Sequence, residues 1–284
     1  MNTRAWQPIG IFDSGIGGLT VLRSIHQLMP GESLLYLADQ AHVPYGPRQL
    51  EEVRRFSEAI TRFLLDQGAR LVVVACNTAS AAALKHLRAV FPHVPFVGME
   101  PAVKPAAERT RTGVVGVLAT PATFQGELYA SVVERFAQGV RLIQHTCPGL
   151  VTQIEAGALD APETRHILDE ALQPMLHQGI DTVVLGCTHY PLVIPLIQQI
   201  VGPSVRVIDP APAVARQVQR LLVASDLLEL ETTSHEPAVP APLHQLRLYT
   251  TGKPKHLELL LPTLLGEIAP VEKLAWRGGK LVGE

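Results

Sequence analysis

The sequence predicts an α/β protein of two pseudo-symmetric, doubly wound parallel-sheet domains with a cleft between them. Three observations carry this: short continuous apolar runs, helix-like segments alternating with them, and a repeat of the whole pattern. Size and composition agree. A chain of 284 residues, 47% apolar and 18% charged, is long and apolar enough for cores of about two ordinary domains.

The strand-like runs come in order as IGIF (9–12), LLYL (34–37), LVVVA (71–75), PFVGM (95–99), GVVGVL (113–118), VRLI (140–143), TVVLG (182–186), VRVI (205–208) and LRLYT (246–250). Each is continuous rather than alternating, which is how strands buried on both faces read. Helix-like segments lie between them. Residues 16–28 follow a glycine-rich turn, 48–67 end at Gly68 as a C-cap, 78–90 are alanine-rich, and 162–178 begin with a proline in the first turn. Residues 225–245, rich in Pro, Thr and Ser, read as a helix end followed by a loop.

The repeat organises the chain. IGIFDSGIGG (9–18) aligns with VGVLATPATF (115–124), and LYLADQA (35–41) with RLIQHTC (141–147), both at an offset of 106. LVVVACNTAS (71–80) aligns with TVVLGCTHYP (182–191) at an offset of 111. The expected division is residues 1–98 plus 210–284 as one domain and 99–209 as the other, with crossings near EPAVKPA and DPAP. Ligands of such sheets bind outside the carboxyl ends of the strands. Two related halves would therefore present matching strand ends to one shared active-site cleft.

Composition excludes several classes. The net charge of −2, with no stripe of Lys and Arg, argues against a nucleic-acid partner. No apolar run approaches the roughly 18 residues that span a bilayer. The opening MNTRAWQPIG has no apolar h-region, so a cytoplasmic location is expected. Three cysteines make a poor disulfide framework, and reduced thiols are expected.

Two of those cysteines carry the chemistry. Cys76 and Cys187 each end an apolar strand where a helix is expected to begin, as VVVA-Cys76-Asn77-Thr78 and VVLG-Cys187-Thr188-His189. Free backbone N–H groups and the helix dipole would there favour thiolate. One such cysteine alone reads first as a small buried apolar residue; a matched pair reads as chemistry. No zinc spacing is present, because Cys-x₂-Cys is missing and His189 is only two residues from Cys187. Two facing thiols can invert a carbon acid: one removes a proton as thiolate, and the other delivers one to the opposite face. That chemistry needs no cofactor, and no lysine, Lys85 included, has a context that argues for a pyridoxal Schiff base.

The turn Asp13-Ser14-Gly15-Ile16-Gly17-Gly18 resembles a phosphate cradle, but it lacks the lysine of a Walker loop, and Thr20 stands where a dinucleotide fingerprint needs glycine. Asp13 is expected either to cap the helix or to orient a proton near Cys76 or hold an ammonium group. His189 is the acid–base partner expected for Cys187. Glu155 is either a carboxylate near His189 or a solvated helix residue. Ser14, Asn77, Thr78, Thr120 and Thr188 suit a polar, carboxylate-bearing ligand, or cap helices. Tyr45 and Gly46 read as a loop over the cleft, and Cys147 as structural.

Together these residues resemble the glutamate racemases of the cofactor-independent aspartate/glutamate racemase family. The resemblance runs through FDSGIGGLTVL (12–22), PYGPR (44–48), VACNTAS (74–80), EPAVKPA (100–106), GVLAT (116–120), IEAG (154–157), GCTHYPL (186–192) and DPAPAVA (209–215). Ala119, Phe124 and Gly126 depart from the family's pattern. The resemblance implies Cys76 and Cys187 as the acid–base residues, and substrate contacts at Asp13, Ser14, Tyr45, Gly46, Asn77, Thr78, Thr188 and His189. It implies interconversion of L- and D-glutamate, supply of D-glutamate for peptidoglycan in a bacterial cytoplasm, no cofactor or metal, and a homodimer. The residues leave other readings open: an aspartate or other amino-acid racemase, a cysteine hydrolase built on Cys187 and His189, or a two-lobed binding protein.

Overall fold

The computed structural model describes residues 6–225, 246–266 and 268–284. The loop expected after Ser225 therefore lies outside the described residues. The chain opens with β1 (Ile9–Asp13), α1 (Leu19–Leu28), β2 (Leu34–Ala38), α2 (Leu50–Asp66), β3 (Leu71–Val74), α3 (Asn77–Val90) and β4 (Phe96–Gly98). It continues through α4 (Val103–Arg109), β5 (Val114–Ala119), α5 (Pro121–Gln125), α6 (Glu127–Phe136), β6 (Arg141–His145), α7 (Leu150–Glu155), α8 (Pro162–His177) and β7 (Thr182–Gly186). A 3₁₀ turn (Tyr190–Val193) leads into α9 (Ile194–Val201), β8 (Arg206–Ile208) and α10 (Ala211–Ala224). The chain closes with β9 (Leu246–Thr250), α11 (Pro254–Leu265), β10 (Val271–Arg277) and β11 (Lys280–Gly283).

The strands form two sheets, ordered β11-β10-β9-β2-β1-β3-β4 and β6-β5-β7-β8. Among the described residues, all pairings are parallel except β10 with β11. The order β2-β1-β3-β4 in the first sheet is that of β6-β5-β7-β8 in the second, so the sequence repeat is a repeat of topology.

The burial of each strand explains its composition. Every residue of β1, β2, β3 and β7 is buried, as continuous apolar runs require. In the first sheet, alternate residues face opposite layers. Ile9, Ile11 and Tyr36 pack with α1, α10 and α11, while Phe12, Leu35 and Leu37 pack with α2 and α3. In the second, Val115 and Val117 pack with α4 and α6, and Val183 and Leu185 pack with α7, α8 and α9. One apolar cluster runs from the first sheet's helical layer into the second's.

Two expectations differ from the structure, and one element carries no strand signal in the sequence. β6 and β8 are half-exposed edge strands rather than strands buried on both faces. α1 starts at Leu19 and not at residue 16, because residues 15–18 are spent on the turn that brings the chain out of β1. The hairpin of β10 and β11 has no strand signature in the sequence, because its charges interrupt any apolar run at this edge. Its turn, Gly278-Gly279, takes φ of +56° and +76°, which only glycine adopts without strain.

Candidate active site

The carboxyl ends of β1 and β3 in one sheet, and of β5 and β7 in the other, converge on one cavity. Ser14, Cys76, Asn77 and Thr78 line it from the first sheet, and Thr120, Cys187, Thr188 and His189 from the second. Pro44, Tyr45 and Gly46 close it from the loop after β2, and Val151 from α7. The structure thus brings the predicted residues together, with two differences. Asp13 and Glu155 stand behind the wall, and Pro44 and Val151 join it. Pro44 lay inside the PYGPR motif; no sequence signal marked Val151.

The glycine-rich turn after β1 has a use other than phosphate binding. A Cβ on Gly15 would sit 1.8 Å from Glu155 Oε1, and one on Gly17 would sit 2.5 Å from His189 Nδ1. The glycines make room for side chains of the second sheet, which fill the space a phosphate would need. Asp13 Oδ2 accepts the N–H groups of Gly15 and Gly18, each at 3.1 Å, so the carboxylate does brace the turn. Its other oxygen, Oδ1, accepts the Thr188 hydroxyl at 3.2 Å. Asp13 therefore reaches across to the residue next to Cys187, as well as influencing Cys76. Its burial raises the carboxyl pKa above the ordinary value, against the pull of His189 and the two N–H groups.

Cys76 is the N-cap of α3. Its sulfur accepts the Ala79 N–H at 3.5 Å and lies 3.9 Å from Ser14 Oγ. The helix end does favour thiolate, but it does not win. Burial, joined by the charge of Asp13, pushes the thiol well above its ordinary value, so Cys76 rests as a thiol. The Cys187 side is built differently. No α-helix starts there; the chain enters the 3₁₀ turn, and α9 begins only at Ile194. Pro191 and Pro195 suit such short first turns because they lack N–H groups. His189 supplies what a helix end would have supplied. Its Nδ1 lies 3.9 Å from Cys187 Sγ, and its Nε2 lies 2.6 Å from Glu155 Oε1. Burial works against a charge on the ring. Cys187, Glu155 and Asp13 outweigh it and hold the His189 pKa well above the ordinary 6.5. Glu155 is no solvated residue. Burial pushes its carboxyl up, but the bonds from His189, Gln40 and the Ile16 N–H leave it below its ordinary value.

The polar wall is matched but not symmetric. Thr78 and Thr120 share a hydroxyl hydrogen bond of 2.9 Å across the two sheets. Asn77, two per cent exposed, has no hydrogen-bond partner for either amide atom among the described residues. An unpaired buried amide costs about 1–3 kcal/mol, which a ligand bearing both an acceptor and a donor would recover. Tyr45 is anchored by Asp39 Oδ2 at 2.6 Å, and the same buried carboxylate takes His42, Thr251 and Trp276. Cys147 does not line this cavity, and burial pushes its thiol to about 12, so it stays protonated. Among the described residues, no group of three or more His, Cys, Asp or Glu side chains could hold a metal ion. Lys85 is exposed, 3.6 Å from Glu127.

Residues 9–218 match the family model of Asp/Glu/hydantoin racemases. The chain belongs to that family. It is an amino-acid racemase, an isomerase. The racemase is 52% identical to a glutamate racemase of Roseiflexus sp. (strain RS-1), over 93% of this chain and 94% of that protein. It superposes on a glutamate racemase isoform from Bacillus anthracis with a TM-score of 0.83 at 32% identity, covering 96% of this chain and 98% of that one. It also resembles Escherichia coli glutamate racemase, solved with L-glutamate and the activator UDP-MurNAc-ala. That likeness has a TM-score of 0.80 at 30% identity, over 98% of this chain and all of the other.

Proposed function

We propose that this racemase interconverts L- and D-glutamate by two-base proton transfer between Cys76 and Cys187, with no cofactor. The observation that carries the reading is that two thiols from matched strand ends of the repeat line one cavity. The similarity to glutamate racemases over nearly the whole chain supports glutamate as the substrate.

The chemistry follows from the wall. The α-ammonium goes to the Asp13–Ser14 side, where its charge offsets that of Asp13. The carboxylates go to the donors of Asn77, Thr78, Thr120 and Thr188, and to the Tyr45–Gly46 loop. One sulfur, as thiolate, takes the α-proton and leaves a planar carbanion. The other, as thiol, gives its proton to the opposite face, so the two sulfurs exchange states as the centre inverts. A resting Cys76 thiol suits the half of the cycle that begins with Cys187 as base. In the reverse half, the substrate ammonium relieves the repulsion that Asp13 exerts on a Cys76 thiolate. Imidazolium at His189 can shuttle its Nδ1 proton to and from the Cys187 sulfur.

The same reading takes residues 1–98 with 210–284 and residues 99–209 as the two domains, each holding one sheet and one thiol. It places the enzyme in a bacterial cytoplasm as a homodimer that supplies D-glutamate for peptidoglycan. Among the described residues no helix is long and apolar enough to cross a membrane. Incubation with either enantiomer of glutamate in D₂O tests the reaction. Exchange of the α-proton and loss of optical activity are expected, unchanged by EDTA and without added pyridoxal phosphate. No exchange, activity abolished by EDTA or dependent on added pyridoxal phosphate, or faster turnover of aspartate would overturn the assignment.

A further inference from the structure

A chain of hydrogen bonds runs from the end of β9 in the first sheet to the thiol of the second. The Gly252 N–H donates to Thr250 Oγ1 at 2.9 Å, and the Thr250 hydroxyl donates to Gln40 Oε1 at 2.8 Å. Gln40 Nε2 donates to Glu155 Oε2 at 2.9 Å. Glu155 Oε1 then meets His189 Nε2, and His189 Nδ1 faces the Cys187 sulfur. The direction is set chemically. A backbone N–H can only donate, so the hydroxyl hydrogen of Thr250 is free for Gln40. That hydrogen fixes the amide with Nε2 toward the carboxylate; a flipped amide would set two acceptors face to face. Packing agrees: a Cβ on Gly252 would come within 2.7 Å of Gln40 Cβ, so the amide is seated against bare backbone.

We infer that Gln40, oriented by Thr250, is a positioning residue for the Cys187 half of the reaction. Glu155 belongs to α7, but Gln40 and Ile16, which donate to its oxygens, follow strands of the first sheet. His189 Nε2 and the Ile16 N–H share Oε1, and Gln40 holds Oε2. Glu155 is thus aimed at His189 from across the cleft. The Cys187 acid–base pair is completed by groups of the opposite sheet, and Cys76 has no part in this chain. The inference rests on the two-thiol reading and adds a side-specific requirement to it.

Racemisation alone cannot reveal a one-sided defect. The two enantiomers have equal free energy, so kcat/KM must fall by the same factor in both directions. Elimination can reveal it. With 3-chloroglutamate, one thiolate takes the α-proton and chloride leaves with the C–Cl bonding pair. The resulting enamine hydrolyses to the 2-oxo acid and ammonium, and no second sulfur is needed. The Cys76→Ala variant identifies the enantiomer served by Cys187, and Cys187→Ala identifies the one served by Cys76.

The test compares Gln40→Met, which keeps length but not the donor, and Thr250→Val with the parent enzyme. Elimination from the Cys187-served enantiomer is expected to fall about tenfold with Gln40→Met, the scale of one lost hydrogen bond to a charged group, and by a smaller factor with Thr250→Val, which loses only the neutral bond that orients the amide. Elimination from the Cys76-served enantiomer is expected to hold, which also reports an intact fold. Equal losses for both enantiomers, or no loss for either, would overturn the inference while leaving the two-thiol reading intact. If the two cysteine variants do not divide the enantiomers between them, the two-thiol reading fails and takes the inference with it.

Discussion

Glu155 Oε1 and His189 Nε2 stand 2.6 Å apart, one on a helix and the other on a turn 34 residues later. The pair is ionised over a wide pH window, because the Glu155 carboxyl lies below its ordinary 4.5 and His189 lies well above its ordinary 6.5. The lowered carboxyl contributes stability above 4.5 that is lost as pH falls through its folded value. The raised imidazole contributes stability below 6.5 that is lost as pH rises through its folded value. Glu155→Gln should therefore lower Tm most between these two ordinary values, with the deficit shrinking on either side. Thermal melts of both proteins from acid to alkaline pH check this, and a deficit independent of pH would refute it.

Cys76→Ala and Cys187→Ala should each abolish racemisation in both directions, because each sulfur is the base in one direction and the acid in the other. Each variant should still eliminate HCl from one enantiomer of 3-chloroglutamate, and the two should prefer opposite enantiomers. Near-normal racemisation by Cys76→Ala would replace this mechanism with a single-cysteine one at Cys187 and His189.

Asp13→Asn separates activity from stability. The amide oxygen can still accept the Gly15 and Gly18 N–H groups, and the Thr188 hydroxyl can turn to accept rather than donate. Because the folded carboxyl pKa is raised, ionising Asp13 costs stability as pH rises above its ordinary 3.8. The variant should thus melt no lower than the parent at neutral pH. Its kcat/KM should fall about 10- to 10²-fold, the scale of one charged partner lost by the substrate ammonium. A sharp drop in Tm with activity retained would reverse the roles assigned to this carboxylate.

Gly17→Ala tests the tight seating of His189 on the turn. The added Cβ would lie 2.5 Å from Nδ1 and 2.7 Å from the backbone N of His189, which cannot both give way. Overpacking of this kind costs about 1–3 kcal/mol. Denaturant melts should show that loss, and elimination from the Cys187-served enantiomer should drop more than elimination from the other. Equal activity on both would mean that the turn does not set the position of His189.

Much of the architecture was legible because strand identity and order are local properties. A run such as LVVVA is apolar throughout because both faces of its sheet are covered, and Cys76 and Cys187 sit at strand ends because the runs stop there. The matched offsets between the halves place both thiols, and the short polar residues beside them, at corresponding strand ends. The edge strands misled for the same reason. β6 and β8 have apolar runs without full cover, whereas in β10 the buried Val271 and Leu274, which pack on opposite faces of the sheet, are separated by Glu272 and Lys273, so no apolar run marks the strand.

What only the tertiary structure decided are the meetings between the halves. Asp13 finds Thr188 across 175 residues of chain, and Glu155 finds Ile16, Gln40 and His189. No periodicity encodes such contacts, since they depend on how closely one sheet's strand ends approach the other's. The same closure explains the glycine turn, whose bare backbone accommodates Glu155 and His189 rather than a phosphate. It also decides the state of Cys76. The sequence places that thiol at a helix N-terminus that favours charge, and burial beside Asp13 in the closed cleft overrides it, because removing a charge from water outweighs a single backbone N–H.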